Sequence, residues 1–361
     1  MKKVAHVISD TNIGGAGRWL LSFLSEARGY AYAAVVPEGS ALIAPLAEIG
    51  VRAVTARGIG ERSFSWAAVA DLRRVFRRIA PDIVHSHAAL SARAAAKSLG
   101  IKTVYTRHSV FASAPHQTRF PAKQLGGFAG GLLADAVIAV SPAAADNLRA
   151  TGVDPRRITV VYNAARPVTP QPRDRVRFGL SEGDFVCACV ARLTAVKGQE
   201  YLLRAAALLS GVPAIKFLIV GDGEDRERLT AAADELGLKN VVFTGFLEDV
   251  ESAERVADLA VNVSYGTEAT SLALLECMSL GIPAVATDYG GNPYVVRHGE
   301  NGIIIPARDE KALAEAVLSM YNNETLYNAA SAAARRVFAE RFTLPAMVAA
   351  TERIYTGVMG G

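Results

Sequence analysis

In residues 185–210, FVCACVARLTAVKGQEYLLRAAALLS, six apolar residues, five of them small or β-branched, give way to a loop carrying Arg192 and Lys197. After Gly198, leucines and alanines recur at helical spacing. The spacing predicts a strand over Phe185–Val190 and a helix over Gln199–Ser210. A strand followed by a loop and a helix is one unit of a parallel sheet, because a parallel neighbour is reached only by a crossover. The pattern recurs downstream, with Lys216–Val220, Val241–Thr244, Leu259–Val263 and Ala284–Thr287 reading as strands. Upstream, Lys3–Ser9, Tyr32–Val36, Ile83–His87, Thr103–Thr106 and Ala136–Val140 read the same way, with helical segments such as Trp66–Ile79 among them. Between the two series, Ala165–Asp184 carries Pro167, Pro170, Pro172 and the charges Arg173, Asp174 and Arg175 without apolar periodicity, and reads as a linker. The expected architecture is α/β, with two facing Rossmann-like, doubly wound parallel-sheet domains over residues 1–165 and 166–342. A C-terminal stretch, 343–361, keeps helical spacing over Pro345–Tyr355 and is expected to pack back towards the first domain.

The 361 residues suffice for two cores. With 51% hydrophobic and 20% charged residues, disorder is excluded as the main theme. Cys187, Cys189 and Cys277 are too few for a disulfide framework or a four-cysteine zinc site, and read as small buried residues of a reducing compartment. The opening MKKVAHVIS is too short for a signal sequence, and no stretch approaches eighteen apolar residues. The expectation is a cytoplasmic protein whose membrane contact, if any, is peripheral. Charge divides the chain: residues 1–165 hold 20 Lys+Arg against 10 Asp+Glu, a net of +10, and the remainder is −6. An anionic partner for the first half is expected, and without a helix-turn-helix, zinc finger or aromatic RNA-binding pattern that partner is not nucleic acid. A membrane is the other candidate. In Trp66–Ile79, the apolar Trp66, Val69, Leu72, Val75, Phe76 and Ile79 are bordered by Arg73, Arg74, Arg77 and Arg78. That composition suits either an interfacial helix or a helix covering the sheet.

Several motifs carry chemistry. Asn12–Arg18, NIGGAGR, follows the first strand and opens a helix; Gly14 and Gly15 there permit either a tight turn or backbone N–H groups held close to an anion. Arg192 and Lys197 beside a helix N-terminus would neutralise a diphosphate without a metal, or else stand on a solvated surface loop. Glu268 and Glu276 bracket the run EATSLALLE; eight steps of 100° bring both carboxylates to within about 80° of one face, and Thr270 and Ser271 stand at the expected helix start. A carboxylate in so apolar a helix is costly unless something pairs with it. His85 and His87 share a strand face, but sequence places no third ligand beside them, and they read as cleft or core residues. No Asp-x-Asp falls in a loop suited to a metal-bound diphosphate.

Taken in order, Gly14-Gly15, Pro81–His87, Thr106–His108, Val190–Arg192 with Lys197-Gly198, Val220–Gly223, Thr244–Phe246, the Glu268/Glu276 pair and Asp288–Gly291 resemble the retaining, nucleotide-sugar-dependent glycosyltransferases of family 4, with their GT-B fold. The likeness spans essentially the whole chain. It implies transfer of a sugar from a nucleoside diphosphate, most often UDP, to a hydroxyl acceptor in cell-surface glycan, polysaccharide or glycolipid synthesis. The donor site would lie in the cleft between the domains, no cofactor or metal would be needed, and the acceptor would be a glycan or lipid-linked molecule met at the inner face of the cell membrane. The resemblance further implies that Arg192 and Lys197 bind and stabilise the leaving diphosphate and that Glu276 holds the ribose. Glu268, with the N–H groups of Thr270, Ser271 and Leu272, would hold the transferring sugar and distal phosphate. Gly14 and Gly15 would complete the phosphate cradle, His108 would reach a sugar hydroxyl, and Gly221 and Phe246 would line the nucleotide pocket. Ala269-Thr270-Ser271 replaces the family's usual Gly-Phe-Gly, Tyr162-Asn163-Ala164 its Pro-Asn-Gly, and a glutamate usual after Gly290-Gly291 is missing. These departures bear on donor choice. A nucleotide-sugar epimerase of the same fold, or a non-catalytic sugar-nucleotide-binding relative, are the alternatives. A two-Rossmann dehydrogenase would need a fuller glycine fingerprint than Gly14 begins.

Overall fold

The computed structural model describes residues 1–60, 64–110 and 133–360. Two compact units divide it, one formed by Met1–Ala164 together with the helix Leu344–Gly360, the other by Ala165–Thr343.

The first unit is built on an all-parallel sheet ordered β3-β2-β1-β4-β5-β6-β7. Its strands are β1 Lys3–Ile8, β2 Ala31–Pro37, β3 Arg52–Ala56, β4 Ile83–His87, β5 Lys102–Arg107, β6 Ala136–Ala139 and β7 Ile158–Val160. Because strand side chains alternate, β1 sends Val4 and Ile8 to one face and Val7 to the other. The first face packs on Trp19, Leu20 and Phe23 of the helix Gly15–Glu26 and on Leu344, Met347 and Tyr355 of the C-terminal helix. Against the opposite face lie Val69, Leu72, Val75, Phe76 and Ile79 of the helix Trp66–Ile79. That helix is therefore a sheet cover, and its apolar stripe is not an interfacial face. What it leaves outside is Trp66, 76% exposed, with Arg74, Arg77 and Arg78.

The second unit carries a parallel sheet ordered β10-β9-β8-β11-β12-β13, from β8 Phe185–Val190, β9 Ile215–Val220, β10 Val241–Gly245, β11 Leu259–Asn262, β12 Ala284–Thr287 and β13 Gly302–Ile305. Its core joins Cys187, Cys189, Phe217 and Ile219 of the sheet to Leu202 and Leu203 of the helix Gln199–Leu208 and Leu313 and Val317 of the helix Glu310–Asn322. All three cysteines are free and buried. The segment read as a linker is tied to this unit. Arg175, 4% exposed, bridges to Asp258 at 2.8 Å and donates to the carbonyls of Ser181, Glu182 and Asp184, while Val168 N–H donates to Ser279 Oγ. A buried guanidinium is tolerable when most of its donors are met in this way; the Nε of Arg175 has no partner among the described residues.

Candidate functional site

In the second unit the loops leaving β8 and β11 meet. Gly198, at φ 74°, turns the chain into the helix Gln199–Leu208, and a Cβ there would stand 2.2 Å from the Val263 carbonyl. Only glycine permits that approach. It brings Lys197 onto the segment after β11, where Nζ donates to the Thr267 carbonyl at 3.0 Å and to Glu268 Oε2 at 2.8 Å. Asn262 Nδ2 and Ser264 Oγ also donate to Glu268 Oε2, each at 3.2 Å. Three donors thus converge on one oxygen of a carboxylate only 7% exposed, which is how a buried charge is sustained. Oε1 accepts from no described residue, and the ammonium, with three hydrogens and two described acceptors, retains one hydrogen for a ligand.

The far side of Glu268 is closed by the glycine pair. Gly291 N–H donates to the Glu268 carbonyl at 2.9 Å, and a Cβ on Gly291 would lie 1.7 Å from the Ala269 carbonyl. Asn292, fully buried, donates to Asn262 Oδ1 at 3.3 Å and to Thr287 Oγ1 at 3.1 Å, bracing the asparagine that holds Glu268. Tyr289 donates its hydroxyl hydrogen to the Gly266 carbonyl. Sequence reasoning missed Asn262, Ser264 and Asn292 as members of the site.

The helix after Glu268 spans Leu272–Ser279, capped by the Ser271 hydroxyl on Leu274 N–H at 3.4 Å. Glu268 to Thr270 lie before it, so counting eight helical steps from Glu268 to Glu276 does not describe their relation. Glu276, within the helix, is 8% exposed, and Thr270 and Ser271 are buried. Arg192 is exposed on the loop after β8, Gly221 sits at the end of β9 against the Ala191 carbonyl, and Phe246 projects after β10, 73% exposed.

In the first unit Gly14 is the N-cap of the helix Gly15–Glu26, and a Cβ on Gly15 would meet nothing within 4 Å. Packing within the unit therefore does not require glycine at 15. His108 follows β5, half-buried, its ring 5.4 Å from that of Trp19. Behind it lies a histidine cluster whose third member, His6, sequence reading missed. The register pairs His6 with His85 across β1 and β4, so their side chains share a face with His87. His6 Nδ1 lies 3.0 Å from His87 Nε2, and His87 Nδ1 lies 2.8 Å from His108 Nε2. His85 Nδ1 lies 2.6 Å from the Tyr355 hydroxyl and its Nε2 lies 2.6 Å from Thr106 Oγ1. Burial holds His6 down at about 3, and burial with neighbouring imidazoles keeps His85 and His87 well below their ordinary value, so all three are neutral near pH 7. Ligand nitrogens of His6, His85 and His87 lie within 4.8 Å of one another. Each ring nitrogen is already engaged in a hydrogen bond, however, and a metal would have to displace those bonds to enter.

Comparison with known proteins follows the same division of the chain. The family model for Glycosyl transferases group 1 matches residues 170–337, and that for Glycosyltransferase Family 4 matches residues 13–167. EpsD of Bacillus subtilis strain 168, which carries the name of a glycosyltransferase, is 30% identical over 318 residues, 81% of either chain. The D-inositol 3-phosphate glycosyltransferase of Streptomyces scabiei is 30% identical over 306 residues, 77% of this chain and 68% of that one. Among solved structures, Anabaena Alr3699/HepE in complex with UDP and glucose superposes with a TM-score of 0.87 over 99% of this chain and all of that one, at 21% identity.

Proposed function

The chain belongs to glycosyltransferase family 4, and from that premise we propose that it moves a hexosyl unit from a UDP-sugar to a hydroxyl acceptor with retention and without a metal ion. One observation carries this reading: Lys197 and Glu268 are held together, while one ammonium hydrogen and Glu268 Oε1 engage no described residue. The ammonium suits the leaving diphosphate, and Glu268 Oε1 suits a hydroxyl of the transferring sugar. Lys197, with Arg192 beside it in sequence, supplies the positive field that a metal would otherwise give. Glu276 takes the ribose, Thr270 to Leu272 the distal phosphate, Gly221 and Phe246 the nucleoside, Gly14 and Gly15 a phosphate, and His108 a sugar hydroxyl. UDP is favoured because HepE was solved with it. Hydroxyl acceptors are favoured because D-inositol 3-phosphate, in the name of a relative, is a polyol.

No described helix is long and apolar enough to cross a membrane. We further propose a role in surface glycan synthesis at the inner membrane face. Trp66 and the exposed arginines of its helix are the proposed peripheral contact. The test is a panel of nucleotide sugars screened by thermal shift, followed by NMR of the product formed from any hit. A retained anomeric configuration in a transferred sugar is the expected result. Inversion, epimerisation of the free donor, or stabilisation by no UDP-sugar would defeat the reading.

A further inference from the structure

The histidines behind His108 form a single file. From the solvent side it runs His108, His87, His6, Tyr355, His85 and Thr106, with separations of 2.8, 3.0, 3.4, 2.6 and 2.6 Å. A neutral imidazole carries one hydrogen on one nitrogen and a lone pair on the other. Since both nitrogens of His6 and His87 are engaged, and every ring-to-ring contact needs one donor and one acceptor, choosing one hydrogen fixes His108, His87 and His6 together. The Tyr355 oxygen can donate once and accept twice, so three arrangements satisfy the file: every ring protonated at Nε2, every ring protonated at Nδ1, or His85 alone at Nδ1 with both His6 and His85 donating to Tyr355.

The distances choose among the three. At 2.6 Å the Tyr355–His85 contact falls in the range of hydroxyl donors and short of the usual N–H···O range. The same holds for Thr106–His85, but His85 cannot accept at both nitrogens, and a phenol is a stronger donor than an aliphatic alcohol. Tyr355 therefore donates to His85 Nδ1 and His85 Nε2–H donates to Thr106. His6 Nε2–H then donates to the Tyr355 oxygen, His87 Nε2–H to His6, and His108 Nε2–H to His87. We infer that His87, His6, His85 and Tyr355 are positioning residues that hold the hydrogen of His108 on Nε2, so that its Nδ1 presents a lone pair. In catalysis that lone pair accepts a hydroxyl hydrogen from the ligand; this part rests on the function proposed above.

The test is ring nitrogen NMR on the full chain labelled with ¹⁵N-histidine, for wild type and Tyr355→Phe. Wild type is expected to show Nε2–H at His6, His85, His87 and His108 alike. Tyr355→Phe keeps the ring but removes the directing hydroxyl, and is expected to give mixed tautomers at His6, His87 and His108. With the UDP-sugar that the donor panel selects, its kcat/KM should fall roughly threefold to tenfold, the worth of one hydrogen bond. Differing tautomers among the four wild-type rings overturn the inference, and that spectrum decides even if the variant does not fold. Unchanged tautomers in a folded Tyr355→Phe protein also overturn it. So do ring nitrogens shifted by coordination on adding Zn²⁺, which would make the cluster a metal site. Scrambled tautomers with unchanged kcat/KM overturn the positioning role while leaving glycosyl transfer standing. A donor panel without a hit defeats the proposed function and leaves the ring spectra to decide the file.

Discussion

Lys197 and Glu268, 71 positions apart, form an ion pair at 2.8 Å in which each partner keeps one group that no described residue engages. Removing either partner strips the other of its support as well as removing its own contact. Lys197→Ala is expected to lower kcat at least ~100-fold, and Glu268→Gln to act in the same direction. Because the two act as a unit, the double variant should lose little more than the worse single one. A double-mutant cycle on kcat/KM checks this; fully additive losses would show that the pair is not a unit.

Chelation should leave transfer nearly intact, since fixed cations are proposed to stabilise the leaving diphosphate. The measurement is the initial rate with and without excess EDTA, followed by Mg²⁺ or Mn²⁺. Loss on chelation with recovery on adding metal would remove Lys197 from its assigned role.

Gly291→Ala is expected to damage both stability and activity. The added methyl would sit 1.7 Å from the Ala269 carbonyl, and relief requires moving the backbone that carries Glu268. Strain and overpacking of this kind cost ~1–3 kcal/mol. Urea unfolding and kcat should both register it, whereas Gly183→Ala, with open space around the site, should change neither.

Acid should destabilise the first unit before the carboxylates titrate. His6 is held at about 3 when folded and returns to ~6.5 when unfolded, so between these values the unfolded chain binds a proton that the native state refuses. The contribution is intact above pH ~6.5 and is lost as pH falls, at up to ~1.4 kcal/mol per unit for this one ring. Unfolding free energy measured from pH 7 to 5 should fall more steeply in wild type than in His6→Asn. Parallel slopes would refute it.

Binding to vesicles containing anionic lipid should be salt-sensitive and should weaken in the quadruple Arg73→Glu/Arg74→Glu/Arg77→Glu/Arg78→Glu protein, each basic residue near the surface being worth ~1 kcal/mol. Co-sedimentation of folded wild type and variant decides. Equal binding, or none by either, would move the contact elsewhere or dispense with it.

The central strands were legible because burial on both faces writes them as continuous apolar runs, as in FVCACV. The strands that sequence reading passed over, β3, β7 and β13, are all sheet edges. There the sequence is RAVTA, ITV or GIII, partly exposed and too short for a run or an alternation to stand out. In the site, Lys197, Glu268 and Glu276 were visible as charges in improbable company. Asn262 and Ser264 were not, because a short polar residue after a strand looks like any turn until the neighbouring strand is known. His6 escaped for a related reason: its partnership with His85 follows from β1 lying beside β4, and nothing within MKKVAHVIS announces that neighbour.

The interrupted make-up of the first unit bears on how the protein is made. Leu344–Gly360 leaves the ribosome only after every residue of the second unit, and it brings Leu344, Met347 and Tyr355 to a face already carrying Trp19, Phe23 and three imidazoles. Until then the nascent first unit displays that apolar face unprotected, whereas Ala165–Thr343 is continuous and has its whole sequence in hand. Chains cut short near residue 343 would keep a complete second unit and an adhesive, unfinished first one, and the interval between synthesis of Thr343 and docking of Leu344–Gly360 is therefore the one in which a chaperone has most to do.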